Sequence, residues 1–226
     1  MSLLKQSIRS AMNIGILFKT YAALSYIWHK KTIEAAIARN DLRLNLGSGK
    51  TTIDGWLNLD MAVGARILTM KLPGGLKKFK ANSVRYIYTS HFLEHIDYPD
   101  TALAIVKECH RILVPGGTLR IIVPGIEKII KAYADNDNGF FAIQKEMHPS
   151  WCKSKLDHLM YALQQGGEHK YGYDFETMKA LLTQAGFSKV IESDHNQSQE
   201  EALRIDYRTR VDNHGRYLSL YVDAIK

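Results

Sequence analysis

Apolar positions fall in two rhythms along this chain, and the first forty residues stand apart from the rest. Ile14, Leu17, Phe18, Tyr21, Leu24 and Trp28 recur at three and four, the spacing that places side chains on one face of a helix. Beyond residue 41 the pattern changes to short apolar runs cut by glycine and proline. Leu42, Leu44 and Leu46 lead into Gly47-Ser48-Gly49, and Trp56-Leu57-Asn58-Leu59 ends in Asp60. A third short strand is predicted over Arg66–Met70, before the turn Pro73-Gly74-Gly75. Val84–Ser90 is β-branched and aromatic and reads as a buried strand. Asp100–Leu113 is helical, with Ala102, Ile105, Val106, Cys109, Ile112 and Leu113 recurring at three and four. Pro115-Gly116-Gly117 stop that helix, and Thr118–Val123 returns as a strand closed by Pro124. Residues 126–168 are helical and irregular by turns, with no strand. Phe175–Ala185 is a helix ended by Gly186, and Lys189–Glu192 and Leu218–Ala224 are the final strands. Strand and helix alternating in this way predict an α/β domain with a parallel sheet covered on both faces.

The chain therefore divides into an amphipathic helical extension over residues 1–40 and one domain over 41–226, large enough for a full core. Residues 126–168 sit between the fifth strand and the last helix, where such sheets build acceptor-binding lids over their carboxyl-edge crevice. Ser10–Trp28 is nearly long enough to span a bilayer, but Lys19 at its centre would cost about 2.5–3.5 kcal/mol on insertion scales. No signal-peptide cleavage pattern is present. The extension reads as a helix packed on the domain, with a basic amphipathic helix lying on a membrane surface as the alternative.

Composition narrows the partners. Hydrophobic residues at 46% and charged residues at 23% are ordinary globular values. The net charge of +7 is scattered, with only Lys77, Lys78 and Lys80 grouped, whereas nucleic-acid binders concentrate such charge on one face. No nucleic-acid partner is expected. Cys109 and Cys152 show neither CxxC spacing nor a secreted disulfide pattern, which implies a reducing, cytoplasmic setting.

Leu42–Asp60 spells strand, glycine turn, strand and acid, the footprint of a Rossmann-like nucleotide site. Three ligands compete for it. Gly49-Lys50-Thr51 mimics a phosphate-binding P-loop, but the glycine required five residues earlier is replaced by Leu44. A dinucleotide fingerprint needs a third glycine near Thr52 and an acid about twenty residues on, yet Asp60 follows Gly47 by thirteen. S-adenosyl-L-methionine, which has no pyrophosphate to hold, remains.

YIYTSHFLEHI (86–96), KECHRILVPGGTLRIIVPG (107–125) and HKYGYDFETMKALLTQAGF (169–187) together resemble class I S-adenosylmethionine-dependent methyltransferases. The resemblance covers residues 42–226 and is closest to small methyltransferases associated with glycan biosynthesis. It implies a Rossmann-like fold with a seven-stranded, mostly parallel sheet, an antiparallel last strand and helices on both faces. Carried over by position, the cofactor residues are Leu46, Gly47, Ser48, Gly49, Asp60, Met61, Ser90, His91 and Phe92. The family often places an Asp before the Leu72-Pro73 pair to hold the adenine amine. Here Thr69-Met70-Lys71 stand instead, so the adenine contact is unassigned.

His91, at the tip of the fourth strand, is the first candidate base, and a positioned His contributes roughly 10²–10⁴-fold to rate. The plainer alternative is that it packs on the cofactor or caps the next helix. His169, ahead of the last helix, is the second candidate. His91, Glu94 and His95 spell HxxEH, which invites a metal; a hydrogen-bonding pair at the helix start is the default, and no metal is expected. His110 reads as surface or structural, and Arg120, inside a strand, needs a buried partner. The resemblance implies a sugar hydroxyl of a glycan as methyl acceptor, and the side-chain chemistry of Glu94, His148, Trp151, Tyr171 and Tyr173 makes them the expected acceptor contacts. A small-molecule hydroxyl or carboxylate, or a non-catalytic cofactor-binding subunit, are the alternatives. A peripheral membrane contact would come through the N-terminal helix.

Overall fold

The computed structural model describes residues 2–208 and 211–226, with the side chains of residues 2–14 left out of the description. Seven strands form one sheet: β1 (Arg43–Leu46), β2 (Leu57–Asp60), β3 (Ile67–Thr69), β4 (Val84–Ser90), β5 (Leu113–Pro124), β6 (Lys189–Ser193) and β7 (Ser219–Ile225). Their order is β3-β2-β1-β4-β5-β7-β6, with β7 antiparallel to both of its neighbours and the other strands parallel. β5 starts at Leu113, ahead of the expected Thr118, because the Pro-Gly-Gly stretch stays extended and is absorbed as an irregularity in its register with β4.

Leu44, Leu46, Leu59, Ile87, Leu119, Ile121 and Val123 are buried in the main core, as strands covered on both faces require. Two polar residues interrupt the apolar runs of β1 and β2, and they satisfy one another. Asn45 Nδ2 donates to Asn58 Oδ1 at 2.9 Å, and the same oxygen accepts from the Ile53 amide at 2.8 Å. This buried pair ties down the loop that follows the glycine turn.

Helix α2 (Asp100–Ile112) buries Ala102, Ile105, Val106, Cys109 and Ile112, the residues its periodicity singles out. Three helices occupy the stretch between β5 and the last helix: α3 (Ile126–Ala134), α4 (Asn138–Met147) and α5 (Lys155–Gln164). Asp137 caps α4 by accepting from the Phe140 amide, and Ser154 with Asp157 forms a capping box on α5. Ile129, Ala132, Phe140 and Phe141 give these helices a core of their own. Helix α6 (Phe175–Gln184) starts from an Asp174 cap and packs on α2.

The N-terminal helix α1 (Ser2–Ala38) docks on the domain, but through a different face from the apolar stripe. Leu17, Leu24 and Trp28 are exposed, Trp28 at 82%, while Phe18 and Tyr21 are half-buried; the Ile14 side chain lies outside the described residues. The docked side carries Ser25, Ile33 and Ala36. Ser25 Oγ donates to the Ile67 carbonyl at 3.2 Å and accepts from the Thr69 amide at 3.1 Å. β3 is an edge strand with outward backbone groups, and a short hydroxyl side chain that bonds two of them favours this face for docking alongside the buried Ile33 and Ala36. Among the described residues no helix is long and apolar enough to cross a membrane.

Candidate active site

At the carboxyl end of β1 the chain turns on Gly47 (φ +63°) and Gly49 (φ +53°), a left-handed backbone that favours glycine. The Ser48 amide donates to the Leu59 carbonyl at 3.1 Å, folding the turn back onto β2. Asp60 is then held by two backbone amides: Gly49 N donates to Oδ2 and Ala62 N to Oδ1, each at 2.8 Å. Each carboxylate oxygen keeps acceptor capacity for a ligand. Gly47 serves a second purpose, since a Cβ there would lie 2.3 Å from ring carbons of Phe92.

Beside this turn lies a cavity of about 300 Å³ lined by Gly47, Leu59, Asp60, Met61 and Phe92. Met70, Lys71, Leu72, His95, Ile96, Asp97 and Thr101 complete it. Apolar walls for a flat base and one pinned carboxylate for ribose hydroxyls fit the adenosine of S-adenosylmethionine. Of the residues carried over from the resemblance, Gly47, Asp60, Met61 and Phe92 line this cavity. Gly49 supports Asp60, and Leu46, Ser48 and Ser90 are buried at the neighbouring strand tips. The wall from Met70 to Leu72 and from Ile96 to Thr101 was not singled out by sequence; its one signal is the Leu72-Pro73 pair after β3. Replacing Asp60 with alanine removes a charged acceptor, worth about 1.5–3 kcal/mol. Calorimetry should show at least tenfold weaker cofactor binding in a folded Asp60→Ala protein; an unchanged dissociation constant would place the ribose elsewhere.

A second cavity, of about 240 Å³, opens across the ends of β4, β5 and β7 beneath α3, α4 and α5. His95 lines both cavities, so the two adjoin. His91, in the wall of the second cavity, has a left-handed conformation (φ +53°), a strained state for a residue with a Cβ and one concentrated at functional sites. Its amide donates to the Ile122 carbonyl at 2.8 Å. Its ring lies between two groups, with Nε2 3.4 Å from Ser219 Oγ and Nδ1 3.3 Å from Glu94 Oε1.

Glu94 is 1% exposed and lines this cavity. Among the described residues neither carboxylate oxygen makes a hydrogen bond, the His91 approach lacking the geometry of one. The expected hydrogen-bonding pair of Glu94 and His95 side chains does not form. His95 Nδ1 instead meets the Glu168 carbonyl at 3.1 Å, and His169 Nδ1 meets the Ala162 carbonyl at 3.0 Å. A carbonyl only accepts, so both rings carry hydrogen on Nδ1, and in the neutral form of each ring the lone pair is on Nε2. Burial holds the His169 pKa below its ordinary value. The Lys170 amide donates to the Glu94 carbonyl at 2.7 Å, which joins the segment after β4 to the segment before α6. Far apart in sequence, the His95 and His169 rings are thereby placed edge to face with centroids 5.0 Å apart.

His148 also lines this cavity, its Nδ1 3.0 Å from His158 Nδ1. The three aromatics expected to contact an acceptor line neither cavity. Trp151 is 58% exposed and lies edge-on to Tyr161, outside both cavities. Tyr171 stacks on Tyr98 with centroids 3.9 Å apart, and Tyr173 is fully buried in the core. Stacking on Tyr98 covers one face of the Tyr171 ring, and Tyr173 is enclosed. Tyr161 and Phe140 supply the aromatic wall instead, and Gln144, Gln165, Glu168, Arg208 and Ser219 add polar groups that sequence reasoning missed. Nothing in their local pattern separates them from ordinary polar surface positions.

A family model for a methyltransferase domain matches residues 60–121, from the pinned acid to the middle of β5. No curated protein matches the chain. A solved S-adenosylmethionine-dependent methyltransferase from Archaeoglobus fulgidus is 14% identical, with 89% of this chain and 99% of that one covered and a TM-score of 0.51. One from Thermotoga maritima is 15% identical over all of both chains, with a TM-score of 0.44. At such identity the likeness to the first is one of fold.

Proposed function

We propose that this S-adenosylmethionine-dependent methyltransferase O-methylates a sugar hydroxyl of a glycan. The observation that carries the reading is the lining of the second cavity. His91, Gln144, His148, Gln165, His169 and Arg208 offer a dense set of hydrogen-bonding heads beside the Tyr161 and Phe140 rings. That mixture suits a ring bearing several hydroxyls. Its volume of about 240 Å³ is small against the roughly 300–1,000 Å³ of drug-sized pockets, and suits one such ring entering from a larger molecule.

The cofactor supplies an electrophilic methyl group on a sulfonium sulfur. Asp60 and the apolar slot would hold it, and the polar cavity that adjoins the slot at His95 would fix the acceptor. Bringing acceptor and methyl into line is worth about 7–11 kcal/mol at best. His91 takes the hydroxyl proton as the carbon–oxygen bond forms and the carbon–sulfur bond breaks, and Glu94 faces the charge that then appears on the ring. Incubation with labelled methyl donor and a panel of glycans, phenols and peptides tests this directly. Label is expected in glycans. Transfer confined to phenols or peptides would overturn the acceptor assignment.

A further inference from the structure

We propose that Glu94, His95 and His169 form a binding site for a divalent transition-metal ion in the wall of the acceptor cavity. Each offers one ligand atom, and these atoms all lie within 4.8 Å of one another. Metal–ligand bonds of about 2.0–2.2 Å set neighbouring ligand atoms about 3–3.5 Å apart, so the three side chains need to close by no more than about 1.3–1.8 Å.

Three independent features point to an ion. The first is the Glu94 carboxylate, buried with no hydrogen bond to either oxygen among the described residues. A buried carboxylate without a hydrogen-bonding partner is costly, and an ion at this point would remove the cost. The second is the pair of imidazoles. Each gives its Nδ1 hydrogen to a backbone carbonyl, the arrangement that fixes the tautomer and ring orientation of metal-ligating histidines and leaves Nε2 to bind. The third is construction: the backbone hydrogen bond from Lys170 to Glu94 locks together the two segments that carry the ligands.

Two imidazoles and one carboxylate suit zinc, cobalt, manganese or iron, whereas magnesium and calcium favour all-oxygen sites. Three protein ligands leave coordination positions open toward the cavity. An acceptor hydroxyl placed there would be polarised by the ion and would give up its proton to His91 more readily. That role rests on the proposed hydroxyl acceptor; the site itself does not. His148, Cys152 and His158 form a second cluster within the same 4.8 Å limit. There the two histidines already meet through their Nδ1 atoms, and no buried carboxylate lacks a partner.

The test uses the full-length protein, freed of metal by chelation and titrated with Co²⁺ in the absence of cofactor and acceptor. Visible absorption should report one ion per chain with nitrogen and oxygen ligands only. Glu94→Gln and His169→Ala should each weaken binding by more than about tenfold, since outer-shell partners alone are worth 10–100-fold. Cys152→Ser should leave binding unchanged. His95→Ala replaces either variant that fails to fold by circular dichroism. No binding, a thiolate-to-cobalt charge-transfer band, or unchanged affinity in the folded ligand variants would each overturn the site. Cobalt binding as expected without methyl transfer to any glycan would sink the acceptor assignment alone, and glycan methylation by a protein that binds no metal would sink this site alone.

Discussion

Replacing Arg120 with alanine should cost the fold roughly 3–5 kcal/mol, the penalty for removing one member of a buried charge cluster. The guanidinium is 0% exposed in the middle of β5. Its Nε donates to Asp206 Oδ1 at 2.9 Å and Nη2 to Oδ2 at 2.5 Å. Nη1 donates to Asp223 Oδ1 at 2.8 Å on the adjacent β7, and Nη2 also reaches the Asp194 carbonyl at 2.9 Å. Without it Asp206 and Asp223 are left as buried carboxylates with no cation between them. Urea denaturation followed by far-UV circular dichroism measures the loss from the shift in midpoint at constant slope. A loss below about 1 kcal/mol would mean that the two aspartates find other partners.

His91→Gln should lower turnover by a hundredfold or more, within the 10²–10⁴-fold span of general acid–base catalysis, while the dissociation constant for S-adenosylhomocysteine changes little. Glutamine keeps hydrogen-bonding capacity but cannot accept the proton. The backbone at φ +53° is awkward for any side chain with a Cβ, though asparagine tolerates it well. His91→Asn therefore serves as the companion variant, and its turnover should fall equally. Full turnover in both would move the base elsewhere in the cavity, with His169 the next residue to examine.

Most of the sheet is legible in the sequence because its strands are buried on both faces and bounded by strong punctuation. Val84–Ser90 is such a case, and so is the turn Gly47-Ser48-Gly49. Arg120 is legible for the opposite reason: a charge inside an apolar strand demands a partner, though not which one. His110 proves structural, packed edge-on to Phe187, with burial lowering its pKa. The acceptor side is where the sequence falls silent. Tyr171 and Tyr173 look like a platform in one dimension, but their rings bury against Tyr98, a residue the local pattern does not connect to them. Glu94, His95 and His169 become one cluster only through a tertiary backbone hydrogen bond. The α1 stripe misleads because the face that docks is the one carrying Ser25, Ile33 and Ala36, where a hydroxyl that bonds two edge groups of β3 adds to apolar burial.

Those two groups carry a wider consequence. A parallel sheet of this kind ends in strands whose outward amides and carbonyls could template a strand from another molecule. At one end, a single serine hydroxyl engages the Ile67 carbonyl and the Thr69 amide together, so those two groups are no longer open to another strand. At the other end β6 is short and exposes Lys189 and Glu192, charges that disfavour a flat, apolar neighbour. The long helix thus acts as a guard against strand addition, and the sheet terminates within its own chain.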